Sequence, residues 1–506
     1  MPSLQRLRPT LQHGQALASC NLRKLVLAQQ QKRHCSSHAP AEPPTSSSST
    51  TLANDHHTLG KRLNLFSVTP YSAGSPLLHA DGSHLFLKLQ DLLRAQHQAF
   101  GFREVISPTI YKQSLWEKSG HWQNYGDDMF EVVGRGARGT TEGKDISDNE
   151  KWGLKPMNCP GHCLLFATEA RSYRDLPVRF ADFSPLHRNE ISGALSGLTR
   201  VRRFHQDDGH IFCRQDQVKD EIASTLKMVN LVYSAFELKP HKLLLSTRPE
   251  DNFIGTENEW AEAELQLQTA LDESNLNWSP NPGDGAFYGP KIDIILRDNH
   301  GKEHQTATIQ LDFQLPQRFE LVYQDQTRST QTPILIHRAV LGSIERFMAL
   351  LIEHYHGKWP FWLNPHQVSI LTLNQSDTVL AHANKIASTL SGRPASGITK
   401  LQSLRQSDFT INIDSTSETQ GKKLVHARNQ GYGILCSVGR KEVERGDVTV
   451  DFWCAGEGTR LERVEAVIER FLDGATKTQT WTDRRRLVLR PEVLKGVMEG
   501  LCEEWL

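Results

Sequence analysis

No apolar run in the 506-residue chain is long enough to cross a bilayer, which excludes a membrane-spanning helix. Cysteine is scarce. The eight residues, at 20, 35, 159, 163, 213, 436, 454 and 502, are too few and too scattered for a disulfide scaffold, so a reducing interior is the expected setting. There is no G-x-x-x-x-G-K-[ST] phosphate loop, and any nucleotide must be held by other means. Gly134, Gly136 and Gly139 have G-x-G-x-x-G spacing, but "TTEGKDISDN" follows them, whereas a dinucleotide fingerprint has to open a helix after a buried strand. Acidic residues are missing altogether before Glu42.

That acid-free stretch holds Arg6, Arg8, Arg23, Lys24, Lys32 and Arg33 and leads into "APAEPPTSSSSTT", which cannot form a packed core. Arg-rich, acid-poor and able to be amphipathic is how a mitochondrial presequence is composed, so residues 1–55 are expected to be a presequence and linker, and the matrix the destination. A disordered basic arm is the other reading of the same composition. Without those six cations, 52 basic residues face 58 acidic ones, and an RNA partner would have to meet local basic patches against a repelling overall field.

Residues 56–363 are dense in aromatic and apolar side chains. "LFLKLQDLLRAQHQAFGF" has helical apolar spacing and closes on Gly101, "FREVISPTIY" predicts a strand interrupted by Pro108, and 134–152 predict a surface loop. "NPHQVSILTL" marks a new start. Over 364–475, β-like runs ("VSILTL", "FTINI", "YGILCSV", "DVTVDFW") alternate with helical segments, as in a small α/β domain with a partly parallel sheet. Residues 476–506 read as an appended segment ending in an amphipathic helix.

The stretch 183–213, "FSPLHRNEISGALSGLTRVRRFHQDDGHIFC", predicts two β-like segments joined by a Gly/Ser-punctuated hairpin loop. Alternation along the second places Phe204, Gln206, Asp208 and His210 on one face, and along the first Arg188 with Glu190. An aromatic plate, an amide, a carboxylate and an imidazole on one side make a site, whereas a solvated sheet face favours Lys, Thr and Glu. Further on, "PILIHRAV" predicts a strand that His337 ends, followed by a helix from about Gly342 with Ser343 and Arg346 on one face. An arginine on an otherwise apolar helix needs an anion or a ring to stack on. In "KPMNCPGHC", Cys159, His162 and Cys163 look like half of a zinc finger with no second half nearby.

An HRNE-type arginine, an aromatic on its hairpin partner and a G-S-x-x-R helix resemble the second and third signature motifs of class II aminoacyl-tRNA synthetases, and "FREVISPTIY" is similar to the first, whose proline lies at the dimer interface. With "KPMNCPGH", "FHQDDGHIFC", "GAFYGPKID" and "IHRAVLGSIERF", residues 56–475 resemble the threonyl-tRNA synthetase family. The resemblance implies an α+β fold: the class II antiparallel sheet flanked by helices, then a smaller α/β anticodon-binding domain, in a homodimer. It implies a Zn²⁺ held by Cys159, His210 and His337, which leaves a position open for the amino and hydroxyl groups of threonine. The local set Cys159, His162 and Cys163 is the competing reading.

The same resemblance assigns the rest of the site. Gln206, Asp208, Tyr288 and Ser343 would receive threonine. Arg188, Glu190, Arg200, Phe204, Gln305 and Arg346 would receive ATP with Mg²⁺, since three phosphates need more cation than the arginines supply. Arg188, Arg346, Lys291 and His121 would serve the chemistry, His121 as a proton relay to the tRNA ribose. No editing domain is expected, so serine, one methyl smaller, should be activated without internal correction. The C-terminal domain departs from the family where Asp451, Phe452 and Trp453 replace a basic run. A class II enzyme for another amino acid and a non-catalytic RNA-binding relative are the rival readings. The first lacks a reason for the Cys-His-His trio, and the second usually loses an ATP arginine or a metal ligand.

Overall fold

The computed structural model describes residues 55–133, 151–251, 253–274, 276–297, 301, 303–393, 409–455, 459–472 and 486–506. The basic N-terminal stretch, the three spaced glycines 134, 136 and 139, and residues 394–408 lie outside them.

Alternating sequences build the main sheet. Its strands are β1 (Arg103–Glu104), β2 (Val178–Asp182), β3 (Asp208–Cys213), β4 (Lys242–Ser246), β5 (Trp278–Asn281), β6 (Lys291–Arg297), β7 (Glu303–Asp312) and β8 (Ile334–Ala339). They bond in the order β5-β4-β6-β7-β8-β3-β2-β1, antiparallel except for the two edge pairs. Cross-strand partners share a face. On one face Ile211, Ile292, Ile309, Leu311 and Ile336 are buried in a common core with helices packed over them. On the other, Phe180, His210, His337, Gln310 and Lys291 are successive partners on five neighbouring strands. That row is where the polar side chains collect.

Helix α1 (Ala80–Ala99) buries Leu85, Phe86, Leu89, Leu92 and Leu93, the spacing read from sequence, and the chain leaves it through Gly101 at φ 75°. Helix α2 (Cys159–Ala167) covers the site face instead, where Cys159, Cys163 and Phe166 pack with Phe180, Phe212 and Leu335. Helices α3 (Val218–Ser234), α4 (Glu257–Glu273) and α5 (Ile344–Tyr355) back the apolar face. Ser343 caps α5 through a bond from Arg346 N (3.3 Å). Before it, Gly342 has φ 66°, and a Cβ there would lie 2.4 Å from Thr306 O. Gly342→Ala therefore combines a left-handed backbone with a backbone clash, and should lower unfolding stability by about 1–3 kcal/mol in urea melts. A change below about 0.5 kcal/mol would contradict this.

Several local expectations are corrected. Arg188 and Glu190 follow a strand that ends at His187, because the hairpin pairs only Pro185–His187 with Arg203–His205. The second segment breaks at Gln206–Asp207, since the Asp207 carboxylate turns inward to accept Val340 N (2.7 Å) and Leu341 N (2.9 Å) and pairs with buried Arg338 (3.0 Å). His337 lies inside β8, two residues before its end. Trp152, placed in a loop, begins a strand, Trp152–Leu154, paired with Ile110–Lys112 and Glu131–Val132.

A second sheet follows. β9 (Val368–Thr372), β10 (Ile411–Asp414), β11 (Ile434–Val438), β12 (Val448–Phe452) and β13 (Arg486–Leu489) bond in the order β10-β9-β11-β12-β13, with β9 parallel to both of its neighbours. The segment after 475, read as an appendage, joins this unit. β13 pairs with β12, and Leu494, Val497, Met498 and Leu501 of the terminal helix Pro491–Glu503 enter its core, because their apolar stripe has no other face to cover.

Candidate active site and metal centre

Alternation along β3 and β8 and the antiparallel register set His210 directly opposite His337, with His210 Nε2 2.9 Å from His337 Nδ1. The first turn of α2 brings in Cys159. The donor atoms of these three buried residues lie within 4.8 Å of one another. Four tetrahedral ligands of a zinc ion stand about 3.5 Å apart, so one sulfur and two imidazole nitrogens at this spacing fit a borderline-soft divalent cation. His162 and Cys163 are not in the cluster. His162 turns instead to Asp182 (3.5 Å) and meets the His210 ring edge-on, while Cys163 is a buried thiol in the apolar cluster beneath α2. Burial pushes the Cys159 thiol far up and the His210 imidazole far down, so both resist charge in the bare protein.

The surroundings of the trio are polar and ordered. Asp208 Oδ1 lies 3.9 Å from His210 Nδ1, and its Oδ2 accepts from Asn158 Nδ2 (3.0 Å). Burial raises the pKa of this carboxyl. The Tyr288 ring centroid is 5.0 Å from that of His337, and its hydroxyl donates to Gln310. Gln206 forms an isolated backbone bridge with Ser343. Ser343 Oγ, expected to touch substrate, donates to Glu345 Oε2 (3.2 Å). His121 is fully buried, with Nδ1 2.8 Å from Ser119 Oγ and Nε2 3.7 Å from Cys159 Sγ. Burial, with His337 and Arg188 nearby, lowers its pKa to about 3, so the ring is neutral.

On the hairpin, the Arg188 guanidinium lies 4.9 Å from the Phe204 ring centroid and 5.6 Å from that of Tyr125, and its buried Nε has no hydrogen-bond partner. A buried, unpaired guanidinium N–H calls for an anion. Glu190 and Arg200, assigned to opposite ends of ATP, pair with each other at 2.8 Å. Arg346 Nε donates to Thr199 O (3.1 Å), which ties α5 to the hairpin loop. Lys291 and Gln305 meet at buried Asp293 (Lys291 Nζ 3.0 Å), with Ser246 Oγ (2.9 Å) on the same carboxylate. By parity Gln305 should face the core. A bulge opposite Ile294/Ile295 inserts one residue into β7 and turns it to the site.

Sequence reasoning missed Asp293, Gln310 and Asp312. The signal was there: in "TATIQLD" the polar Thr308, Gln310 and Asp312 alternate with Ile309 and Leu311, the pattern of a strand with one working face.

A mostly antiparallel sheet backed by helices, with a polar working face, an arginine–aromatic hairpin and a Ser-capped arginine helix, defines a class II aminoacyl-tRNA synthetase. Residues 140–355 match the tRNA synthetase class II core domain (G, H, P, S and T), and 367–469 match an anticodon binding domain. Within that class the chain belongs to the threonine--tRNA ligase family. It is 48% identical over 401 residues to the mitochondrial threonine--tRNA ligase of Saccharomyces cerevisiae (76% of this chain, 84% of that one). It is 44% identical over 435 residues to the cytoplasmic enzyme of Caenorhabditis elegans (84% and 56%). A crystal structure of the RNA binding domain of threonyl-tRNA synthetase from Cryptosporidium parvum superposes with a TM-score of 0.75 at 37% identity, covering 88% of this chain and 98% of that one.

Proposed function

We infer that this chain ligates threonine to tRNA(Thr) in two steps. A threonine carboxylate oxygen attacks the α-phosphorus of ATP and pyrophosphate leaves. The 3′-terminal ribose hydroxyl then attacks the adenylate carbonyl and AMP leaves. The observation that carries this reading is the convergence of Cys159, His210 and His337 on the polar sheet face beneath α2. These residues would hold Zn²⁺, which supplies, when bound, a Lewis-acid position for the amino and hydroxyl groups of threonine.

Asp208, close to the trio, accepts from the substrate hydroxyl, and Gln206 and Tyr288 hold the rest of threonine. Ser343 acts mainly through its cap. Arg188 neutralises the α-phosphate, and its unpaired Nε supports that assignment. Phe204 and Arg346 flank the adenine, Glu190 reads its amino group, and Arg200 swings from Glu190 to the γ-phosphate. Lys291 and Gln305, gathered at Asp293, serve the phosphates together with Mg²⁺. His121, neutral and beside Cys159, relays the ribose proton. ATP–pyrophosphate exchange with threonine, serine and valine, with metal content assayed on the same sample, tests the whole reading. Exchange with valine equal to threonine would overturn it.

Dimer formation through the Pro108 segment is supported by Ile106 and Ile110, which stand exposed on either side of it. The matrix of the mitochondrion is the proposed location, supported by the acid-free N-terminal composition and the mitochondrial relatives. No helix among the described residues is long and apolar enough to cross a membrane.

For the anticodon, burial at 451–453 supports a reading in which Trp453 alone of the three meets the RNA. Phe452 is core and Asp451 pairs with Arg428 (3.0 Å), while Trp453 stands exposed with the Arg428 guanidinium 4.5 Å from its ring centroid. A tryptophan backed by a cation offers its free surface to an unstacked base. Trp453→Ala should raise KM for tRNA by on the order of 10- to 100-fold, the roughly 1–3 kcal/mol of one stacked base, and leave ATP–pyrophosphate exchange unchanged. Equal tRNA kinetics for the two proteins would sink this assignment.

A further inference from the structure

We propose that Asp312 selects the ring nitrogen with which His337 meets the metal, and so acts as a positioning residue for the centre. An imidazole can ligate only through a nitrogen that carries no proton, and the partner of the other nitrogen decides which one that is. His337 Nδ1 points into the trio, 2.9 Å from His210 Nε2. Across the ring, Nε2 lies 2.8 Å from Asp312 Oδ2, and both residues are buried. A carboxylate oxygen accepts, so the ring proton sits on Nε2 and the Nδ1 lone pair faces Cys159 and His210.

Asp312 has no freedom to turn. Its Oδ1 accepts the backbone N–H of Gln314 (2.7 Å) and of Leu315 (3.0 Å), which closes the first turn of the short helix Gln314–Arg318. The two histidines differ in this respect. His210 Nδ1 has no hydrogen-bond partner, and the nearby Asp208 carboxylate is 3.9 Å away with its other oxygen on Asn158. Only His337 is locked from outside.

The pinned oxygen makes a sharp test. In Asp312→Asn the amide oxygen stays on the two N–H donors and the NH₂ group is directed at His337 Nε2. Nε2 must then accept, and the proton moves to Nδ1, where it blocks the lone pair. The full-length variant should bind Zn²⁺ about 10- to 100-fold more weakly in competition with a chromophoric chelator, with its thermal unfolding retained. Asp312→Ala, which removes the cap but imposes no donor, should lose less. An Asn variant within about twofold of the parent, or an Ala variant that loses as much as Asn, would overturn the proposal. Should Asn fail to fold, ¹⁵N-histidine spectra of the unmodified zinc-loaded chain decide it: a proton on His337 Nε2 supports the assignment and one on Nδ1 defeats it. The proposal rests on the metal reading of the trio. If Cys159→Ala loses zinc while Asp312→Asn keeps it, this proposal fails and that reading stands.

Discussion

Cys159→Ala is expected to release the metal and to collapse the enzyme's preference for threonine over valine. Sulfur is one of the three donors that converge among the described residues, at the start of a helix that covers the site face, and the two imidazole nitrogens that remain face each other at 2.9 Å. Valine has threonine's shape without its hydroxyl. A site built to receive the hydroxyl rejects such an analogue by ~10⁴-fold or more, because its own polar groups would be left unpaired, whereas an apolar pocket manages only ~10². Selectivity in ATP–pyrophosphate exchange should therefore fall to ~10² or less, with metal content near zero and residual threonine activation strongly reduced. A variant that keeps selectivity after losing its metal would show that Asp208, Gln206 and Tyr288 discriminate unaided.

Arg188→Ala should lower the rate of exchange by ~10²–10³-fold, about 2.7–4 kcal/mol of transition-state stabilisation, and leave metal content untouched. The guanidinium lies over the Phe204 ring, 4.9 Å from its centroid, with a buried N–H unpaired, so it is positioned before the nucleotide arrives, and negative charge builds at the α-phosphate as the carboxylate attacks. Arg188→Lys should recover little, because a lysine lacks the planar fork that both stacks and donates twice. Single-turnover adenylate formation separates this from a binding defect. If only KM for ATP rose, Arg188 would be a binding residue with no part in the chemical step.

Much of the site was legible because its residues sit in short alternating stretches. His210 and Asp208 share a face by parity in "DDGHIF", and the apolar spacing of α5 exposes Arg346 as an oddity. Gln305 was placed by resemblance, but its parity pointed to the core, and only the bulge in β7 explains how it reaches Asp293. Asp312 was missed because its role depends on a partner one strand away and 25 residues later in sequence. The segment after 475 was misread because an edge strand of four residues carries little periodic signal, and its neighbour β12 lies more than 30 residues earlier.

By itself the sequence determined which chemistry is present: one thiol, two imidazoles, a hairpin arginine with its aromatic, a capped arginine helix, and the face that Asp208 and His210 share. Side-chain type and local period are properties of neighbouring residues, and both can be read along the chain. Tertiary structure alone decided that residues 159, 210 and 337 share one point, which nitrogen of His337 faces it, and that Glu190 and Arg200 wait in each other's grip. The pairing of 210 with 337 and the aim of His337 are questions of register between strands distant in sequence, and register is set by the burial of the whole apolar face against its helices.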